Sequence, residues 1–318
     1  MNIFFQQIGI LAILVVIGAG ARHFNVVSPA AKDGLAKIIF NITLPLLIFT
    51  GIPGMEMTRS LATNSLVVLF FSFLVLGIMW AIGTMSSRAL GLPPNMSPVH
   101  IVHTMFGNIV YLGFPLINEL FPGGEGLYYA MLFHLSSSLI MWTLGVYLLN
   151  TANGFFHGLK NLLNPNTFAF ILGFFFLVLQ IPLPEFLAVS LGGLGDTTIF
   201  LSMLYIGFML ADISWKSAIT SLQGYVLSFN KLLTIPFAAL LLALGPMEWL
   251  SMHPGNLAYS VIILESAMPC MANIVVLAKI FGANDDMATQ NVFISTIISI
   301  FTLPLVYFAL KHFFPINC

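Results

Sequence analysis

One stretch restricts the fold more than any other: Glu265-Ser266-Ala267-Met268-Pro269-Cys270-Met271-Ala272-Asn273-Ile274-Val275-Val276-Leu277-Ala278-Lys279, inside a long apolar segment that starts near Asn256. A helix crossing lipid has no water to satisfy the carbonyl that Pro269 leaves unpaired, and none for Glu265. A carboxylate, a proline and an asparagine within nine residues predict a helix interrupted at mid-membrane. Such a break is tolerated only where it is buried in protein or lines a wet cavity. An earlier stretch repeats the pattern: Gly107-Asn108-Ile109-Val110 beside Ala272-Asn273-Ile274-Val275, with Pro115 close by. Two broken helices in corresponding halves point to a transporter's binding site. The alternative is a pair of proline-kinked spans with incidental asparagines.

That reading needs a membrane, and the composition supplies it. Of 318 residues, 59% are hydrophobic and 7% are charged. Soluble domains run near 25% charged, so the chain is an all-α polytopic membrane protein. A net charge of −1 gives no reason to expect a nucleic-acid partner. Cys270 and Cys318 form neither a disulfide framework nor a metal motif, and no metal or cofactor is expected beyond a coupling ion. Ala19-Gly20-Ala21 resembles a cleavage site, but no basic residue precedes the long apolar run, so the first segment reads as a retained span.

A span needs about 20 residues. Ten candidates follow: 3–22, 32–52, 62–86, 98–120, 126–149, 167–182, 189–211, 217–244, 257–280 and 288–311. The longest connection, near 151–166, divides them into a first repeat, 1–150, and a second, 167–318. Loops after odd-numbered spans hold Arg22, Lys32, Lys37, Arg88, Lys160, Lys216 and Lys279; the other side holds Arg59 and Lys311. Seven against two places the odd loops in the cytoplasm and both termini outside.

The halves echo each other. Asn41-Ile42-Thr43 in span two matches Asp196-Thr197-Thr198 in span seven, with Gly51 and Gly207 following at similar distances. Asn108 in span four matches Asn273 in span nine. Five spans per half is odd, so the second half enters the membrane the opposite way, as an inverted repeat. The prolines do not match: Pro115 follows its asparagine, whereas Pro269 precedes its own. Asn41, Thr43, Asp196 and Thr198 read as the beginnings of their spans, with Asp196 a helix cap.

Several polar groups stand out. Glu265 at bilayer depth is a proton carrier, a Na⁺ ligand or a structural partner of a nearby donor. Asn108 and Asn273 donate and accept, which suits a carboxylate site beside half-helix N-termini; interhelical hydrogen bonding is the alternative. Lys231, deep in span eight, either snorkels or pairs with an acid. His134 with Ser136, Ser137 and Ser138 gives span five a polar face. No hydrolase, metalloprotease or phosphate-loop motif occurs, and no repeated charged ring indicates a channel.

At these residues the chain resembles the auxin efflux carrier family, including its small bacterial permeases. The matching stretches are Asn41 to Gly51, Gly107 to Pro115, Gly195 to Gly207 and Glu265 to Lys279, with Thr302-Leu303-Pro304 in span ten. The resemblance implies ten spans in two inverted repeats of five, with spans four and nine crossing at their breaks. It implies a homodimer through a support domain of spans one, two, six and seven. The other six spans form a transport domain that moves as an elevator in the cell membrane. The substrate it implies is a small organic carboxylate, auxin-like or a dicarboxylate such as malonate. Carried over by position, Asn108 and Asn273 become substrate ligands and Pro115 and Pro269 the crossover breaks. Asn41 and Ser137 join the substrate-site candidates; Glu265, His134 and Lys231 are the candidates for coupling to Na⁺ or H⁺. The short linker departs from plant carriers, which often carry a large loop there, and puts auxin itself in doubt. Bile-acid sodium symporters share the ten-span crossover plan and place an acid in span nine. A membrane sensor without transport is the third class.

The basic-residue bias makes one expectation testable at once. A cysteine introduced at Lys160 should be shielded from an impermeant thiol reagent in intact cells; ready labelling there rejects the orientation.

Overall fold

The structure, a computed structural model, describes residues 2–53, 58–149, 164–212, 220–247 and 255–315. Lys160, Lys216, Cys318 and most of the 151–166 linker lie outside the described residues. The described chain is helical, and its β pairing is one isolated antiparallel bridge. The helices are α1 (Asn2–His23), α2 (Pro29–Gly51), α3 (Arg59–Ala89), α4a (Ser97–Met105), α4b (Ile109–Leu120), α5 (Glu125–Leu149), α6 (Pro165–Val178), α7 (Glu185–Ala211), α8 (Leu222–Gly245), α9a (Asn256–Ser266), α9b (Asn273–Phe281) and α10 (Asp285–Phe313). Six of them, α2, α3, α5, α7, α8 and α10, are long and apolar enough to cross a membrane. Among the described residues the half-helices of α4 and α9 and the brief α6 are shorter; α1 runs for 22 residues, of which Ala12–His23 is apolar.

Loop contacts fix which ends share a face. Arg22, just before the end of α1, and Lys32 early in α2 both pair with Asp212 at the end of α7, at 2.6 and 2.5 Å. Burial works to raise the Asp212 pKa. Hydrogen bonds from Lys32 and Arg22 and their charges outweigh it and hold the carboxyl below its ordinary range. The Asn284 N–H, before α10, donates to the Asn95 carbonyl before α4a. On the opposite face the Asn256 amide donates to the Pro315 carbonyl. Ends that follow odd-numbered helices therefore meet one another, as alternating crossings require.

Prolines inside the helices are absorbed rather than breaking them. Pro45, Pro115 and Pro236 each follow a five-residue π turn: Ile39–Thr43, Ile109–Gly113 and Asn230–Thr234. A proline has no N–H, and its ring collides with the carbonyl four residues back. Widening the preceding turn to an i to i+5 pattern moves that carbonyl away and gives it another donor. The Phe114 N–H, for example, reaches the Ile109 carbonyl. Pro115 is therefore not a crossover break; it lies inside α4b.

Two further expectations change. Asn41, Thr43, Asp196 and Thr198 lie well inside α2 and α7, which begin at Pro29 and Glu185, so Asp196 is not a cap. Thr43 and Thr198 are buried, whereas Asn41 and Asp196 are exposed.

α1 packs along α7, α7 against α2, and α2 against α6; α3, α5, α8, α9a and α10 pack around α4. The α1–α7 contact is backbone to backbone. A Cβ at Gly207 would lie 2.6 Å from the Ala19 nitrogen and closer still to the Val15 carbonyl oxygen; one at Gly18 would strike the Leu204 carbonyl. Small residues allow this approach where lipid provides no hydrophobic drive between helices. Gly207→Val should lower stability by about 1–3 kcal/mol, read as a lower melting temperature in detergent. Gly20→Ala, which meets open space, should be neutral or stabilising by up to about 1 kcal/mol.

Candidate functional site

The breaks in α4 and α9 face each other. Between α4a and α4b the chain is non-helical at 106–108, and between α9a and α9b it is non-helical at 267–272. Gly107 and Cys270 form the isolated antiparallel bridge. The Asn108 N–H donates to the Pro269 carbonyl at 2.7 Å, and the Met271 N–H to the Phe106 carbonyl at 3.1 Å. Each unwound segment thus satisfies backbone groups of the other. Gly107 is required by the closeness of the crossing: its Cβ would lie 3.0 Å from Met268 Cβ and 3.1 Å from the Met268 oxygen. The Cys270 N–H is met by Ser295 Oγ from α10 at 3.0 Å.

Beside the crossing lies a cavity of about 60 Å³, room for a few water molecules. Its lining includes Asn108, Tyr111, His134, Ser137, Trp142 and Asn273. Five polar residues singled out from sequence therefore share one cavity: Asn108, Asn273, His134, Ser137 and Ser138. Asn108 caps α4b, its Oδ1 accepting from the Tyr111 N–H at 3.4 Å; among the described residues its amide nitrogen has no partner. Asn273 opens α9b and is half-buried. Both half-helices begin here, so their positive ends and first-turn N–H groups meet at the same space. His134 Nε2 lies 3.3 Å from Ser138 Oγ, and the ring packs edge-on to Phe114.

The remaining candidates lie elsewhere. Pro269 is in the crossing itself, where its carbonyl accepts from Asn108. Asn41 points outward and donates to the Lys37 carbonyl at 2.9 Å; its neighbour Phe40 lines the cavity instead. Pro115 is buried behind its π turn. Glu265 is not among the cavity-lining residues. It is 1% exposed, and among the described residues neither carboxyl oxygen has a hydrogen-bond partner. It faces Gly113 in the π turn of α4b, where a Cβ would come within 2.7 Å of Oε1 and closer to Oε2. Lys231 is fully buried, and its Nζ donates to the Thr104 and Met105 carbonyls at 3.1 Å each. Its hydrogen-bond partners are therefore backbone carbonyls rather than an acid, although Glu265 is near enough for the two charges to interact.

Sequence reading missed Tyr111, Trp142 and Asn164 as lining residues. Tyr111 packs against Tyr205 of α7 with ring centroids 5.0 Å apart. Asn164-Pro165 carries a legible signal: an asparagine before a first-turn proline is a helix start, and Asn164 Oδ1 does accept from Asn166 and Thr167. A second cavity, of about 160 Å³, is apolar and separates α1 and α7 from α4b and α10.

Residues 3–307 match the model of a family described as membrane transport protein. The chain belongs to that family. It is the family of the auxin efflux carriers that the motifs resemble. The chain is also similar to an uncharacterized transporter of Methanothermobacter thermautotrophicus, 25% identical over 296 residues, covering 92% of this chain and 94% of the relative. A multi-pass membrane transporter is thus the class to which the broken helices and the crossing belong.

Gly113 carries no side chain where the Glu265 carboxyl sits. Gly113→Ala should displace the carboxyl or the π turn and destabilise the protein by about 1–3 kcal/mol. Thermal melting of the purified variant beside Gly51→Ala, which meets only ordinary contact at Leu127, checks this.

Proposed function

We propose that the chain is a secondary transporter of small organic carboxylate anions, working by alternating access across the cell membrane. The observation that carries this reading is the meeting of two half-helix N-termini and two asparagines, Asn108 and Asn273, at one small cavity. The asparagine amide nitrogens and the positive ends of the half-helices attract a carboxylate without adding a fixed charge, so the anion binds and still leaves; the Tyr111, Ile274 and Val275 N–H groups already have partners in the chain. Ser137 and His134 complete the polar lining. The volume favours a compact substrate over a steroid.

In this reading the two halves are inverted repeats of five spans. α1, α2, α6 and α7 stand as support and as the homodimer face, while the other helices move. The apolar cavity between the two groups supports a boundary along which they slide. With the odd loops cytoplasmic, the lining by Asn164 and by the C-terminal part of α5 makes this the inward-open side.

A sodium-coupled symporter of the bile-acid type is the second reading. It is favoured by Glu265, a buried carboxylate with both oxygens unpartnered. Such a group needs a proton or a cation. A counterflow screen of small carboxylates in proteoliposomes, with and without Na⁺ and across pH, separates the two and also excludes a sensor that does not transport.

Asn108→Ala and Asn273→Ala should each weaken substrate binding by about 1.5–3 kcal/mol, the loss of one hydrogen bond to a charged ligand, or roughly ten- to hundredfold in affinity. Equilibrium binding to folded variants reads this. Wild-type affinity in both would make the two residues packing groups.

A further inference from the structure

The end of α4a poses a problem that α9a solves by other means. An α-helix leaves its last carbonyls without intrahelical donors and collects partial negative charge there. At mid-membrane those carbonyls need partners from protein or from a bound cation. In α9a the chain closes on itself. The Ala267 N–H reaches the Ile263 and Leu264 carbonyls, Met268 N–H reaches Glu265, and Ser266 Oγ also donates to Ile263. In α4a the chain leaves extended at Phe106, with φ −107° and ψ 123°, and cannot turn back. Phe106 N–H covers Val102, and Cys270 Sγ lies 3.8 Å from the His103 oxygen. The last two carbonyls, Thr104 and Met105, both go to Lys231 Nζ. That ammonium is 0% exposed and comes from the π turn of α8.

We infer that Lys231 is a tethered cation. Its ammonium occupies the place at the carbonyl end of α4a that a dissolved alkali cation would otherwise take, so binding and movement of the substrate anion need no Na⁺. While the carboxyl of the nearby Glu265 is protonated, the ammonium leaves one net positive charge beside the crossing, which offsets the charge of a bound monocarboxylate. An uncompensated charge moved through the membrane potential costs energy in proportion to that potential. A lysine fixed to α8 supplies that charge from within the chain, whereas a mobile ion would have to be recruited in every cycle.

The inference rests on the carboxylate-transport reading for its uptake arm only. In that arm, wild-type uptake should be equal in sodium and in choline buffer, Lys231→Met should reduce it at least about tenfold, and Lys231→Arg should retain more than Lys231→Met. Lys231→Ala removes three carbons and the nitrogen, the atoms of propylammonium. Millimolar propylammonium should restore part of its uptake, whereas Lys231→Met, with the space filled, should not respond. The second arm needs no substrate: propylammonium should raise the melting temperature of Lys231→Ala and leave the wild type unchanged. Sodium-dependent wild-type uptake, wild-type activity in Lys231→Met, or a Lys231→Ala protein indifferent to propylammonium would each overturn the inference. Failure of every carboxylate to be transported would sink the proposed function, and the melting experiment would still decide the role of Lys231. If Lys231→Ala does not fold, the comparison of wild-type sodium and choline uptake decides.

Discussion

Two hydrogen bonds hold this architecture in place. Asn108 N–H to Pro269 and Met271 N–H to Phe106 allow two chains to run unwound past each other in a medium that provides no donors or acceptors. Neither break is tolerable alone. Six residues of irregular backbone between α9a and α9b would leave several polar groups bare, each costing a few kcal/mol. Paired, the breaks become a short antiparallel bridge, and the four half-helices are aimed by it. The two that start there, α4b and α9b, point their N–H ends into the cavity; of the two that finish there, α9a closes on its own N–H groups and α4a presents its carbonyls. One side of the crossing is therefore suited to an anion and the other to a cation, with no charged side chain yet counted.

The charged side chains then fall on the cation side. Lys231 meets the carbonyls of α4a, and Glu265 sits one turn from the end of α9a against Gly113. Neither lines the cavity that Asn108 and Asn273 share. Keeping both side chains out of that space leaves it lined by neutral donors, which would bind an anion at modest strength. Tight electrostatic capture would slow release, and a transporter must release its substrate on every cycle.

Much of this was legible in the chain. Helix ends read from hydropathy lie within a few residues of those observed, because a span of fixed length in lipid leaves little freedom. Asn108, Asn273, His134 and Ser137 could be gathered as polar groups in apolar segments, although their meeting depends on the crossing. Three features were hidden for physical reasons. The break in α4 looked like the work of Pro115, since a proline is the usual helix breaker; a π turn absorbs it, and the real break is at 106–108, where Gly107 leaves room for the close approach of Met268. The partners of Lys231 were invisible because they are carbonyls, which every residue carries. The starts of α2 and α7 were placed too late: Ser28-Pro29 and Pro184-Glu185, both helix-start signals, lie outside the apolar core of the spans.

The π turns Ile39–Thr43 of α2 and Asn230–Thr234 of α8 have a consequence for how the chain tolerates length changes. Each holds one residue more than an α-helical turn would, without altering the direction of the helix. One residue is about 100° of rotation, so the faces before and after each turn are out of phase by roughly that angle. Lys231 lies in such a turn, and its direction depends on the surplus residue. A one-residue deletion between Asn230 and Thr234 would leave an unbroken apolar span of adequate length, harmless to any hydropathy profile. It would also swing the segment preceding the turn by more than a quarter of a revolution relative to everything after it. Along these helices, gaps of a single residue are silent in composition and decisive in orientation.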